Sequence, residues 1–227
     1  MAGRNFEKFV DLASKIVAVG KNYADHIKEM GYAAATAATK AEPVIFMKPT
    51  SAFITQGQKI VFPPGCKNLH HEVELGIVIG KQARRVPENE AMQYVAGYTV
   101  ALDMTARDQQ EKAKKEGLPW TLPKGFDTSC PVGPFIRADQ LVDPHNVQIW
   151  CKVNGKLRQD GTTKDMIFSV PYLISYISRY ITLFPGDVIL TGTPAGVSAV
   201  VAGDVIEAGV GDLSQISFEV ARNDEQQ

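Results

Sequence analysis

A β-rich α+β fold with a few short helices is predicted by three features of this chain. Short runs of apolar and β-branched residues recur around 15–20, 44–48, 70–80 and 94–103, and their length suits strands better than helices. One segment, 169–181, stands out as a helix, with Tyr172, Leu173, Tyr176 and Ile177 at helical spacing and Pro171 in its first turn. Nowhere do strands and helices alternate in the manner that builds a doubly wound parallel sheet. The chain has 227 residues, 44% of them hydrophobic, and no Pro-, Gly- or Ser-rich linker to divide it, so a single large domain with a full core is expected.

Taken in order, Lys15 to Gly20 reads as the first strand, followed by a polar turn or short helix over 22–30 that carries Asp25, His26 and Glu29. The stretch 31–41 is rich in Ala and Thr and poor in large apolar side chains, so it packs weakly and is a candidate lid. Strands are predicted at 44–48, 59–62, 70–80 and 94–103, with a short helix over 88–93 and a polar helix over 105–116. In the second half, runs at 147–153 and 156–159 flank Asn154-Gly155, the residue pair that favours a two-residue hairpin turn. The helix 169–181 should then cover the sheet. Gly186-Asp187-Val188-Ile189 returns as Gly203-Asp204-Val205-Ile206, a repeated turn-plus-strand phrase read as neighbouring strands of a rolled sheet.

Composition excludes several function classes. A net charge of −1 without a basic patch argues against nucleic acid, and no apolar run approaches the length of a membrane span. Cys66, Cys130 and Cys151 are odd in number and lack metal-finger spacing, which fits a reducing compartment and cysteines that fill the core. The first fifteen residues mix Arg4, Lys8 and Lys15 with Glu7 and Asp11, a poor transit peptide.

The chemistry concentrates in His70-His71-Glu72-Val73-Glu74-Leu75. Alternation along a strand points Glu72 and Glu74 to one face, where two close carboxylates repel and each costs several kcal/mol if buried unpaired. Asp103 ends another strand-like run, just before a helix. Three carboxylates without a cysteine pair suit a hard ion, Mg²⁺ or Mn²⁺ ahead of Ca²⁺, with coordination positions left for substrate. The same residues read equally well as a solvated edge-strand face and a helix N-cap. A ferrous oxygenase would need two histidine ligands, yet adjacent His70 and His71 point to opposite faces. A Ca²⁺-stabilised binding module remains the non-enzymatic alternative.

Seven phrases in order resemble the fumarylacetoacetate hydrolase superfamily, in particular its short single-domain branch of mitochondrial acylpyruvases that also act on oxaloacetate. They are Gly20-Lys21-Asn22-Tyr23-Ala24-Asp25-His26, Glu42-Pro43 to Lys48-Pro49, His70-His71-Glu72-Val73-Glu74-Leu75, Leu102-Asp103-Met104-Thr105-Ala106-Arg107-Asp108, Gly117-Leu118-Pro119-Trp120, Lys124-Gly125-Phe126-Asp127 and Thr191-Gly192-Thr193-Pro194. The resemblance implies a mixed β-sandwich roll, a homodimer, and Mg²⁺ or Mn²⁺ held by Glu72, Glu74 and Asp103. It implies one catalytic domain over 15–221, between an N-terminal extension 1–14 and a tail 222–227, in the mitochondrion, with the cytoplasm as the alternative. His26 with Glu29 would activate water, Lys124 would face a developing enolate, and Gln110, Thr193 and Lys21 would bind substrate. Lys21 stands where the family often has arginine, which keeps the charge and loses bidentate geometry. One of His70 and His71 is expected to orient the carboxylates.

On that reading a small 2-oxo acid chelates the ion, and bond cleavage leaves an enolate whose charge the ion stabilises. Acylpyruvate hydrolysis, oxaloacetate decarboxylation and oxaloacetate enol–keto tautomerisation share that step, and the sequence does not rank them. A bacterial-type isomerase or decarboxylase, or a fumarylpyruvate hydrolase of aromatic catabolism, is the alternative within the superfamily.

Overall fold

The computed structural model describes residues 5–25 and 42–222. Among these described residues sixteen strands form four sheets. The largest runs β10 (Ile136–Arg137), β7 (Val95–Leu102), β6 (Val73–Ile79), β13 (Val188–Leu190), β1 (Ile16–Gly20) and β2 (Val44–Lys48). It is mixed, because β1 and β13 are parallel while the other neighbours are antiparallel. The second runs β12 (Lys156–Thr162), β11 (Gln148–Val153), β15 (Val205–Val210), β16 (Ser214–Ala221) and β4 (Ile60–Val61). Two small sheets complete the set, β14 (Ser198–Val200) with β5 (Leu69–His71) and β8 (Thr105–Ala106), and β3 (Phe53–Ile54) with β9 (Cys130–Pro131).

The core follows from period-two alternation. Val73, Leu75, Ile77 and Ile79 of β6 and Val100 and Leu102 of β7 meet Ile149, Cys151, Ile206, Ala208, Ile216 and Phe218 from the second sheet. The opposite face of the large sheet buries Ile16, Ala18, Val78, Ala101, Val188 and Leu190 in a smaller cluster with Phe9. Every residue of β6 is therefore buried, which explains why its apolar run hardly alternates. The helix Val170–Tyr180 adds Leu173, Ile174 and Ile177 to the main core, and its N-cap Ser169 accepts from Tyr172 N–H at 3.4 Å.

Several sequence expectations need correction. The run 70–80 is two strands, because β5 pairs with β14 and β8 while β6 joins the large sheet, and Glu72 stands at the corner between them. The helix expected from 105 begins at Arg107, since Thr105 and Ala106 pair with β5. The repeated Gly-Asp-Val-Ile phrase does not mark neighbouring strands: β13 lies in the large sheet and β15 in the second. What repeats is a turn, in which Asp187 accepts from Phe184 N–H at 2.7 Å and Asp204 accepts from Val201 N–H at 2.8 Å. The predicted hairpin at Asn154-Gly155 is present, with φ of 51° and 73°. Cys66, Cys130 and Cys151 are free and buried, and burial pushes the Cys66 thiol up to about 11 and those of Cys130 and Cys151 up to about 12. His26, Glu29 and the candidate lid 31–41 lie outside the described residues.

Candidate metal centre

The register of β6 against β7 sets Glu74 opposite Ala101 and Val73 opposite Leu102. One position beyond the pairing, Asp103 N–H donates to the Glu72 carbonyl at 2.8 Å. Alternation then puts the side chains of Glu72, Glu74 and Asp103 on one face at the strand ends. All three are buried, and ligand oxygens from the three lie within 4.8 Å of one another; among the described residues no other such group occurs.

Cations surround these acids. Lys124 Nζ donates to Glu72 Oε2 at 2.9 Å and Asp103 Oδ2 at 2.5 Å, and Arg107 Nη2 donates to Glu72 Oε1 at 2.5 Å. Thr105 Oγ1 adds a further donor to Glu72 Oε1 at 2.9 Å. Fully buried Lys48 directs its ammonium protons at the carbonyls of Met104, Lys124 and Ser129. Its nitrogen also stands 2.7 Å from Asp103 Oδ1, yet that oxygen has no aligned hydrogen-bond donor. Burial pulls the Lys124 ammonium down, but the Asp103 and Glu72 charges outweigh it and hold it above the ordinary lysine value.

Glu74 is the least compensated of the three. Burial, and then the charges of Asp103 and Glu72, push its carboxyl well above the usual range, although Gly192 N–H donates to Oε2 at 2.6 Å. A divalent cation fits this arrangement. It would keep three crowded oxygen donors ionised together.

Among the described residues nominated from the sequence, Lys21, Gln110, Lys124 and Thr193 stand around one cavity together with the three acids. Phe46 and Trp120, in edge contact at 5.6 Å between ring centroids, form its apolar wall. Gln110 is buried and accepts from Arg107 Nη1 at 2.7 Å. Lys21 takes a positive φ of 62°. Thr193 differs from expectation. Its hydroxyl proton is given to Val73 O at 2.8 Å and its oxygen accepts from Gln159 Nε2 at 2.7 Å, so that proton is not directed at a substrate carboxylate.

Neither adjacent histidine orients a carboxylate by a direct hydrogen bond. His70 Nε2 bonds Asn68 Oδ1 at 3.0 Å, and His71 bonds Gln159 Oε1 and Ser198 Oγ, each at 2.9 Å. Burial, and then the Arg107 charge, lower His70 to about 4, and burial lowers His71. Sequence reasoning missed Lys48, Arg107, Thr105 and Gln159. A lysine ending the apolar strand Val44–Lys48 was a signal for the first, and the spacing of Arg107 from Gln110 on a helix was a signal for the second. Gln159, on the far strand β12, gave none.

A family model described as fumarylacetoacetate (FAA) hydrolase C-terminal matches residues 15–221. The chain is 52% identical over 221 residues to a mitochondrial oxaloacetate tautomerase of Homo sapiens, covering 97% of this chain and 98% of that protein. It is 51% identical over 215 residues to a mitochondrial oxaloacetate decarboxylase of Dictyostelium discoideum, with 94% and 96% covered. Among solved structures, the fumarylpyruvate hydrolase of Pseudomonas aeruginosa in complex with Mn²⁺ and pyruvate superposes with a TM-score of 0.87 at 36% identity, covering 93% of this chain and 91% of that one.

Proposed function

Since the chain belongs to the fumarylacetoacetate hydrolase family by its C-terminal-type domain, we propose that its acidic centre is the active site of a divalent-metal enzyme for small 2-oxo acids. Oxaloacetate is the substrate, through enol–keto tautomerisation and decarboxylation, and acylpyruvate hydrolysis is a third reaction of the same site. The observation that carries this reading is the convergence of Glu72, Glu74 and Asp103 in a chain half-identical to oxaloacetate enzymes over nearly its whole length. The protein works in the mitochondrion, as the names of those relatives state for them.

Glu72, Glu74 and Asp103 would hold Mg²⁺ or Mn²⁺, which supplies Lewis acidity toward a 2-oxo carboxylate. The protein's own groups do the rest. Lys124 presents a buried ammonium to negative charge developing on the substrate, and it costs no reorganisation because two acids and the Phe46 ring, 5.1 Å away, already fix it. Arg107 holds Glu72 and orients Gln110 at the cavity wall. Phe46 and Trp120 exclude water from one side. Hydrolysis alone needs an activated water, and we assign that to His26 with Glu29 three residues on.

The test is an assay of oxaloacetate enol–keto exchange, oxaloacetate decarboxylation and acetylpyruvate hydrolysis with Mg²⁺ or Mn²⁺. Glu74→Ala should abolish all three, whereas His26→Ala should abolish hydrolysis and spare tautomerisation. A wild-type protein inert toward oxaloacetate and acetylpyruvate alike would overturn the reading. The protein also acts as a homodimer, a reading supported by exposed Met47, Leu118 and Leu122 beside the edge strand β2. Sedimentation at the mass of one chain would contradict it.

A further inference from the structure

The helix Arg107–Glu116 places Arg107, Gln110 and Lys114 at positions i, i+3 and i+7, on one face, and all three side chains line the cavity of the acidic centre. They are not equivalent. Arg107 and Gln110 are engaged, the first with Glu72 and with Gln110, the second with Arg107. Lys114 has no carboxylate partner among the described residues. Its ammonium stands over the Trp120 ring, 5.5 Å from the centroid, which fixes its position without neutralising it. Its position two helical turns on from Arg107, about 10 Å along the axis, gives the cavity a second cation from the same helix face.

The local potential there is positive. Burial, and then the charges of Arg107 and Lys21, draw the Lys114 ammonium below its ordinary value, with Lys124 adding to the effect and Glu72 opposing it. A second anionic group of a bound ligand would relieve that crowding of cations. The ring beneath the ammonium also keeps the lysine from swinging freely, so little side-chain entropy is lost when an anion is met.

We propose that Lys114 is a specificity-determining residue that receives the second carboxylate of a dicarboxylic 2-oxo acid whose keto-acid end lies at Glu72, Glu74 and Asp103. This rests on the function proposed above and adds to it a reason why a dianion is preferred to a monoanion sharing the same 2-oxo acid head. The preference is electrostatic, so it weakens with ionic strength.

The experiment compares kcat/KM for oxaloacetate, a dianion, with that for acetylpyruvate, a monoanion, in Mn²⁺-loaded wild type, Lys114→Met and Lys114→Arg. Loss of one charge-assisted contact should lower the oxaloacetate-to-acetylpyruvate ratio about tenfold in Lys114→Met, with the change in KM rather than kcat. Lys114→Arg should restore the ratio. A ratio unchanged from wild type in Lys114→Met, or both substrates weakened in equal measure, overturns the proposal. If the wild type turns over neither substrate, the proposed reaction falls. Calorimetric binding of oxaloacetate against pyruvate to the same Mn²⁺-loaded proteins then decides the Lys114 contact by itself: selective weakening of oxaloacetate in Lys114→Met supports it, and equal binding overturns it.

Discussion

Gln159 shows how much a single buried side chain contributes at a distance from the acids. Its Oε1 accepts from Val73 N–H at 3.0 Å and bonds His71 Nδ1 at 2.9 Å, while Nε2 donates to Thr193 Oγ1 at 2.7 Å and to Pro194 O at 2.9 Å. One amide thus ties β6, β5 and the turn after β13 together just behind Glu72 and Glu74. Gln159→Leu should cost about 1–3 kcal/mol in urea unfolding, because buried partners are left unsatisfied. Mn²⁺ affinity should fall about tenfold by calorimetry, since groups behind metal ligands orient them. Loss of stability with unchanged Mn²⁺ affinity would limit Gln159 to the fold. The acids themselves were legible in the sequence because charge within an apolar strand demands compensation. Gln159 was not, since its role depends on a contact across sheets that no local spacing encodes.

At the scale of elements, the turn after β13 carries the same logic in the backbone. Gly192 has φ of +95°, and a Cβ there would meet Asn22 Cβ at 2.8 Å and Val19 O at 3.3 Å. Asn22 braces this turn, its Nδ2 donating to Thr191 O at 2.7 Å and its Oδ1 accepting from Phe168 N–H at 2.6 Å. Gly192→Ala should therefore shift the turn, withdraw the N–H that Glu74 accepts, and weaken both stability and Mn²⁺ binding. Gly155→Ala is the matched control. Its φ is +73° with nothing within 4 Å of the new Cβ, so about 1 kcal/mol of strain is expected with Mn²⁺ binding intact. Calorimetry and thermal unfolding of the two variants read the difference. Periodicity and turn chemistry revealed most strands, the hairpin and the helix Val170–Tyr180. They missed the break at Glu72, because β5 and β6 read as one apolar run until their partners are known. The Gly-Asp-Val-Ile repeat encoded a turn, and turns do not specify which sheet receives the next strand.

Across the whole molecule, the strands that build the core also assemble the site. β6 and β7 fill the space between the two large sheets with one set of side chains, and their ends project three acids on the other face. Short apolar, β-branched runs, one clear helix and the absence of strand–helix alternation were enough to reach the fold class. The sheet order was not legible, because β1 pairs with β13 across most of the chain and such long-range pairing leaves no local trace. The surrounding cations, Lys48, Lys124 and Arg107, come from three further segments, so the electrostatic character of the cavity belongs to the folded chain alone. The most direct measurement is anomalous diffraction at the manganese edge from crystals grown with Mn²⁺. One peak at about 2.0–2.3 Å from carboxylate oxygens of Glu72, Glu74 and Asp103 together is predicted. A peak bonded elsewhere, or no peak at these three acids when the ion is in excess, would contradict the account.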